Sequence, residues 1–224
     1  MYNKEYARKW LKYAESGQDL FRKTYLFPYL QQTITSQVIA NTKQDAKQDT
    51  TLLDVGCGWG GLLDYLPKGI EYTGVDPVKE FFSFIREQYA DRALTLKQGR
   101  LPNDIPVADD SFDVVVCSMA LHCVADLESS VNTIFAKAKI GGKVIIADFR
   151  DKAPPLIKKT FLRIDENKED YVRGLYKLSN NTSILAEAYF HKEKPMEKAI
   201  RAHGKFKKTF VGPLFVGYEA KRLC

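Results

Sequence analysis

Between Thr51 and Phe149, short β-branched and apolar runs alternate with longer segments of helical periodicity, and this alternation constrains the fold more than any other feature of the chain. Strands joined through helices need crossover connections, so they lie parallel, and a parallel sheet must be covered on both faces. The patterning predicts strands at 51–55, 70–75, 93–97, 112–117 and 143–149. It predicts helices at 60–66, 78–90 and 127–139, the last ended by Gly141-Gly142. Near the end, FKKTFVGPLFVGYEAKR holds two aromatic and β-branched runs about Gly212-Pro213, which reads as an antiparallel hairpin closing the sheet.

The first strand runs into TLLDVGCGWGG, which carries two overlapping signals. Gly56, Gly58 and Gly61 fit G-x-G-x-x-G, a loop that seats a dinucleotide pyrophosphate, while Asp54 and Gly56 form D-x-G-x-G. A carboxylate at the strand tip is a poor neighbour for phosphate and suits a ligand that is cationic near the loop. Asp76 ends the second strand in GVDP, 20 positions after Gly56, the spacing at which an acid reaches ribose hydroxyls. A glycine turn alone is often only a tight connection, and a strand-end Asp is often a helix N-cap. Strand, D-x-G-x-G, helix, strand and terminal Asp together are not required by any turn. Open α/β sheets bind ligands beyond the carboxyl ends of their strands, the edge where Asp54, the Gly56 loop, Asp76 and Leu121-His122 belong.

At 224 residues the chain suits one domain. No apolar run approaches the roughly 20 residues of a membrane span, and MYNKEYARKW lacks an apolar leader, so a cytoplasmic location is expected. Cys57, Cys117, Cys123 and Cys224 show no C-x-x-C spacing and no clustering with histidine, so neither a disulfide framework nor a metal site is expected. Cys57 and Cys117 read as small apolar residues. Residues 1–150 hold 18 basic and 19 acidic side chains, residues 151–224 hold 16 and 9, so the whole net charge of +6 lies in the last third. That excess suits nucleic acid, a membrane surface or an acidic substrate, or simply a solvated face.

Ahead of the alternating core, Tyr6, Trp10 and Tyr13 share one helical face, and Phe21, Tyr25 and Tyr29 recur every four residues, predicting two amphipathic helices within 2–40. NTKQDAKQDT then reads as a linker. Residues 151–194 fit no strand in this scheme and read as an insertion over the carboxyl edge of the sheet. His191 and His203 fall in basic segments read as helical and are expected on the surface.

In these motifs the chain resembles the class I S-adenosylmethionine-dependent methyltransferases. LLDVGCGWGG is similar to the family's first motif, GVDPV to its acidic second-strand end, LPNDIPVADDSFDVVVCSMALHCV to its fourth-strand region and AKIGGKVIIADF to its turn into strand five. The resemblance covers about residues 50–150 plus the terminal hairpin. It implies a Rossmann-like α/β fold with a mostly parallel seven-stranded sheet, order 3-2-1-4-5-7-6, and a helical N-terminal cap. The single domain would divide into a cap over 1–45, a cofactor-binding core over 50–150, an acceptor-pocket insertion over 151–194, and a final helix and hairpin over 195–224.

The resemblance further implies S-adenosyl-L-methionine as cofactor and S-adenosyl-L-homocysteine as product. Asp54, Gly56, Cys57 and Gly58 would lie along the methionine moiety, Asp76 and Pro77 at the ribose, Gly99, Arg100 and Leu101 at the adenine, and Ser118 at the end of the fourth strand. Tyr6, Trp10, Tyr13 and Tyr25 would form a lid over cofactor and acceptor. Arg100 departs from the pattern, since many relatives carry an Asp there that contacts adenine. His122 would lie beside the transferring methyl, as a general base or as a wall of the site. A small-molecule acceptor is expected. The alternatives are an RNA or protein methyltransferase using the basic C-terminal surface, or a catalytically inactive cofactor-binding partner protein.

Overall fold

The computed structural model describes residues 26–40, 50–151, 162–176, 187–211 and 215–223. In chain order these hold α1 (Leu26–Ile39), β1 (Thr51–Val55), β2 (Glu71–Asp76), α2 (Phe81–Gln88), β3 (Leu94–Gln98), β4 (Phe112–Ser118), α3 (Leu127–Lys137) and β5 (Ala138–Phe149). Then follow β6 (Leu162–Asn167), β7 (Tyr171–Tyr176), β8 (Glu187–His191), α4 (Glu193–Arg201), β9 (Phe206–Val211) and β10 (Phe215–Lys221). The main sheet has seven strands in the order β3-β2-β1-β4-β5-β10-β9. β1 to β5 pair in parallel, and β10 runs antiparallel to both β5 and β9. With the hairpin strands counted sixth and seventh, this is the expected 3-2-1-4-5-7-6 order.

Two-residue alternation sends successive side chains of the central strands into two cores. Leu52, Val114, Val116 and Ile145 point to the face covered by α1 and α2, where they meet Leu30, Ile34, Phe81 and Ile85. Leu53, Val115 and Ile146 point the other way, onto Ile134 and Phe135 of α3 and Met196 and Ile200 of α4. Burial on both faces explains the unbroken apolar runs of the central strands. It also leaves the loops beyond the strand ends as the place for polar function.

Several boundaries differ from the sequence reading. The segment expected as a helix over 60–66 is one 3₁₀ turn, Gly61–Asp64. α3 stops at Lys137 and β5 begins at once, so Gly141-Gly142 lie inside a strand and do not end the helix. Arg222 on the chain after β10 donates from Nη1 to the carbonyls of Ala136 and Ala138, at 2.8 and 2.5 Å, and so satisfies terminal groups that a glycine cap would otherwise serve.

The 151–194 stretch holds three strands where none was expected: β6, β7 and β8 form a separate antiparallel sheet in that order. Charged residues interrupt the apolar alternation in LRIDEN and YVRGLY, so their pairing is carried by backbone ladders that side-chain pattern does not reveal. On α1, Tyr29 is 60% exposed while Leu30, Ile34 and Val38 are fully buried, so at this position the aromatic repeat does not mark the core face. Tyr6, Trp10, Tyr13 and Tyr25 lie outside the described residues.

Candidate active site

β1 carries Asp54 to the carboxyl edge of the sheet and the chain then turns sharply. Gly56 and Gly58 have φ of +78° and +52°, and a Cβ on Gly56 would lie 2.4 Å from the Cβ of Ala120 beyond β4. The loops after β1 and β4 can approach this closely only because that side chain is missing. Gly56 and Cys57 both donate backbone N–H to the carbonyl of Val75, at 2.8 and 3.1 Å. Asp76 completes the tie: its Oδ2 accepts from Gly58 N at 2.9 Å and its Oδ1 from Val78 N at 2.8 Å.

A cavity of about 630 Å³ opens along this edge, within the roughly 300–1,000 Å³ usual for small-molecule sites. It runs from Gly99 and Arg100 beyond β3, past Asp76 and the glycine loop, to His122 beyond β4 and Phe149 at the end of β5. Phe27 of α1 and Phe81 of α2 flank Trp59, their ring centroids 6.5 and 6.3 Å from it, and all three rings line the wall. Two buried polar atoms of the lining, Gln31 Oε1 and Ser118 Oγ, have no hydrogen-bond partner among the described residues.

Two carboxylates dominate the electrostatics of the middle of the cavity. Burial pushes Asp54 up to about 7, against the opposing hydrogen bond from the Tyr72 hydroxyl at 2.8 Å, with Asp76 adding to the rise. Burial likewise raises Asp76 to about 6, opposed by the N–H groups of Val78 and Gly58. An ionised carboxylate has about four acceptor positions, so both acids retain capacity for a ligand. A cation or a pair of hydroxyls placed there would offset the desolvation that raises them.

At the far end His122 sits on a 3₁₀ turn, Leu121–Cys123, just after β4. Its Nδ1 lies 2.8 Å from Asp148 Oδ1, and its backbone N–H donates to Asp148 Oδ2 at 3.0 Å. Burial disfavours the imidazolium, but the neighbouring Cys123 and the Asp148 carboxylate outweigh it and hold His122 well above its ordinary range. Burial works to raise Asp148, yet the charge and hydrogen bonds of His122 and the Phe149 N–H hold it below the usual carboxylate range.

The turn is clamped from behind by His191 of β8, whose Nε2 lies 3.2 Å from the carbonyl of Leu121 and 2.9 Å from that of Val124. Both partners are acceptors, so Nε2 carries the proton. His191 is only 6% exposed and at the end of a strand, which corrects the expectation of a surface histidine in a helix. His203 is half-buried as well, stacked on Phe135 at 4.6 Å.

Residues 53–146 match the family model described as a methyltransferase domain. Over these residues the chain is similar to that domain. Over 137 residues the chain is 30% identical to a thiol S-methyltransferase of Rattus norvegicus, covering 54% of this chain and 56% of that protein. A thiol S-methyltransferase of Homo sapiens is 28% identical over 142 residues, covering 61% and 56%. The chain therefore spans a little over half the length of these curated relatives.

Among solved structures, an S-adenosylmethionine-dependent methyltransferase from Clostridium acetobutylicum superposes with a TM-score of 0.66 at 14% identity, covering 96% of this chain and 99% of that one. The 1,6-didemethyltoxoflavin-N1-methyltransferase of Burkholderia thailandensis, solved with S-adenosylhomocysteine, gives 0.62 at 14% identity, covering 97% and 87%. These likenesses are of fold, and the fold is the Rossmann-like one expected.

The cavity gathers all the described residues singled out in the sequence: Asp54, Gly56, Cys57, Gly58, Asp76, Pro77, Gly99, Arg100, Leu101, Ser118 and His122. Arg100 lines the cavity with its backbone N–H and carbonyl both engaged by Asp104, at 2.6 and 2.9 Å. Gly99 is required by packing, since a Cβ there would lie 2.3 Å from the Asp104 carbonyl. Sequence reasoning missed Asp148, Gln31, Phe27 and Trp59. Asp148 was visible as the acid ending VIIAD, in the same strand-end position as Asp54 and Asp76. Nothing in the sequence pointed to Gln31.

Proposed function

We propose that the protein transfers the methyl group of S-adenosyl-L-methionine to a small-molecule acceptor, releasing S-adenosyl-L-homocysteine. The observation that carries this reading is one cavity in which two buried, underused carboxylates and two unpartnered polar atoms lie beside a glycine loop. Those groups fit this cofactor. Asp76 has acceptor positions for ribose hydroxyls, Asp54 for the ammonium of the methionine moiety, and the backbone at Gly56, Cys57 and Gly58 leaves room for a ligand to approach. Pro77, Gly99, Leu101 and Arg100 surround the adenine end, and Ser118 Oγ gains a partner near the middle. The cofactor supplies an electrophilic methyl on a sulfonium sulfur.

With strand order β3-β2-β1-β4-β5, a nucleoside over β2 and β3 and a methionine over β1 and β4 leave the β5 end, with His122 and Phe149, to the acceptor. The protein's work is then alignment, holding two reactants at the large effective concentration of a shared cavity. Relatives named for thiol and toxoflavin methylation support a small acceptor. On the RNA-binding alternative, Lys208 is paired with Glu193 and Glu197 at 2.9 and 2.6 Å and Lys207 with Glu219 at 3.3 Å, which spends cations that a phosphate surface would need. Incubation with methyl-tritiated cofactor and a cell extract tests the reading: label should enter the organic-soluble small-molecule fraction. Label confined to RNA or protein would contradict it.

A further inference from the structure

The acceptor end of the cavity has a particular electrostatic build. His122 is 9% exposed and lines the cavity, with Asp148 behind it at the end of β5, 4% exposed. One carboxylate takes the imidazole on Oδ1 and the backbone N–H of the same residue on Oδ2, at 2.8 and 3.0 Å, so ring and turn are fixed together. Phe149 N donates to Asp148 Oδ1 at 2.7 Å, and the Phe149 ring packs edge-on against the imidazole with centroids 5.1 Å apart. Cys123 on the same turn also hydrogen-bonds the His122 side chain, and His191 on β8 is the other ionisable group beside the ring. Asp126 also lines the cavity, but its Oδ1 caps α3 by accepting from Ser129 N at 3.0 Å.

The arrangement therefore faces the acceptor with an imidazole whose carboxylate partner is on the side away from it, among apolar walls that include Phe149, Met119 and Val124. A neutral or anionic acceptor gains from that ring. A protonated amine meets a like charge in a low-dielectric setting. We infer that the His122–Asp148 pair makes this end of the cavity select an apolar acceptor bearing an acidic X–H group, a thiol or a phenol, over an amine, and that Asp148 is the positioning residue that holds His122 in place.

The chemistry balances. The acceptor X–H loses its proton, to neutral His122 or to water where His122 is already charged, and the electron pair stays on X. That pair forms the new X–CH₃ bond as the S–CH₃ bond breaks, its electrons remaining on sulfur, so an anion and a sulfonium become two neutral products. The Asp148 carboxylate 2.8 Å from Nδ1 favours the charged ring, which suits an acceptor that reacts as its anion. Nearby negative charge from Asp54 and Asp76 lies toward the cofactor end and serves the sulfonium side.

The inference rests on the methyltransferase reading, and the test separates the two. The full chain, saturated with S-adenosylhomocysteine, is titrated with 4-nitrophenol while phenolate absorbance is followed against pH. The bound phenol should ionise at a pH at least one unit below the free phenol, a tenfold preference for the anion. Benzylamine should compete at least tenfold more weakly than 4-nitrophenol. His122→Gln should abolish the shift, and Asp148→Asn should remove most of it, with S-adenosylhomocysteine affinity within about threefold of wild type in both. An unshifted or raised phenol pKa, equal competition by benzylamine, or no phenol binding while the product binds overturns the inference. A full shift retained in Asp148→Asn overturns the positioning role. Failure of S-adenosylhomocysteine itself to bind the wild type overturns the methyltransferase reading instead.

Discussion

The Tyr72 hydroxyl donates to Asp54 Oδ2 at 2.8 Å inside the core, where Tyr72 is 1% and Asp54 4% exposed. This bond is the main influence holding Asp54 down against burial, which still leaves it at about 7. Tyr72→Phe should therefore raise Asp54 further, so that at pH 7 more of the protein carries a neutral acid that cannot pair with a ligand ammonium. S-adenosylhomocysteine affinity at pH 7 should fall about three- to tenfold, or about 0.7–1.4 kcal/mol, because only part of the ionised fraction of Asp54 is lost. The deficit should narrow as pH rises to about 8, where more of Asp54 is ionised and the ligand ammonium is still charged. Calorimetric titrations across pH check this, and identical pH profiles for the two proteins would remove Asp54 from the ammonium site.

Asp54 and Asp76 also set a cost in the ligand-free protein. Their folded values of about 7 and 6 exceed the ordinary aspartate value of 3.8, so between about pH 4 and 7 the unfolded chain has released protons that the folded chain still holds. Stability is then lost as pH rises through that window. Asp54→Asn removes one of the two groups: the ligand-free variant should melt several degrees above wild type at pH 8 and match it at pH 4, while binding S-adenosylhomocysteine at least tenfold more weakly. Scanning calorimetry reads the first effect. A lower Tm at pH 8 would contradict the assigned linkage.

Gly56 joins the loops after β1 and β4. Gly56→Ala meets both φ of +78° and the 2.4 Å approach to Ala120, and should cost roughly 1–3 kcal/mol of stability from backbone strain alone. Product affinity should drop with it. Adding Ala120→Gly should restore part of the loss, because it removes the clash and leaves the φ penalty. Equal stability of the single and double variants in urea would show that the two loops do not press on each other here.

Lys207 and Lys208 bear on nucleic-acid binding through their engagement with Glu219, Glu193 and Glu197. A surface neutralising about six phosphates of a single strand gives a log–log salt slope near −4. With these cations paired internally, affinity for a single-stranded RNA oligonucleotide should be weak and its slope shallower than about −2. Fluorescence anisotropy across salt concentrations measures it. A slope near −4 that charge reversal at Lys207 and Lys208 flattens would favour the RNA alternative.

The parts of the fold that could be read in the sequence are those in which local pattern and tertiary role coincide. β1, β2 and β4 are buried on both faces, so their apolar runs announce them, and Asp54, Gly56 and Asp76 follow because their spacing is set along the chain. Asp148 was not recognised because its partner His122 is 26 residues away, and only parallel pairing of β4 with β5 brings them together. His191 was misjudged for the same reason, its acceptors lying on the turn 67–70 residues earlier. β6 to β8 escaped notice because an isolated antiparallel sheet rich in charged residues is held by backbone pairing. Gln31 lies on a helix whose pattern showed aromatic periodicity and gave no sign that one amide would face a cavity.

Calorimetric titration of the protein with S-adenosylhomocysteine and, separately, with NAD tests most directly whether the Asp54–Asp76 cavity is a cofactor site. Saturable one-to-one binding of S-adenosylhomocysteine is predicted, weakened at least tenfold by Asp76→Ala through loss of charged hydrogen bonds to the ribose, with no binding of NAD. Binding of NAD without any response to S-adenosylhomocysteine, or an affinity unchanged by Asp76→Ala, would contradict the account.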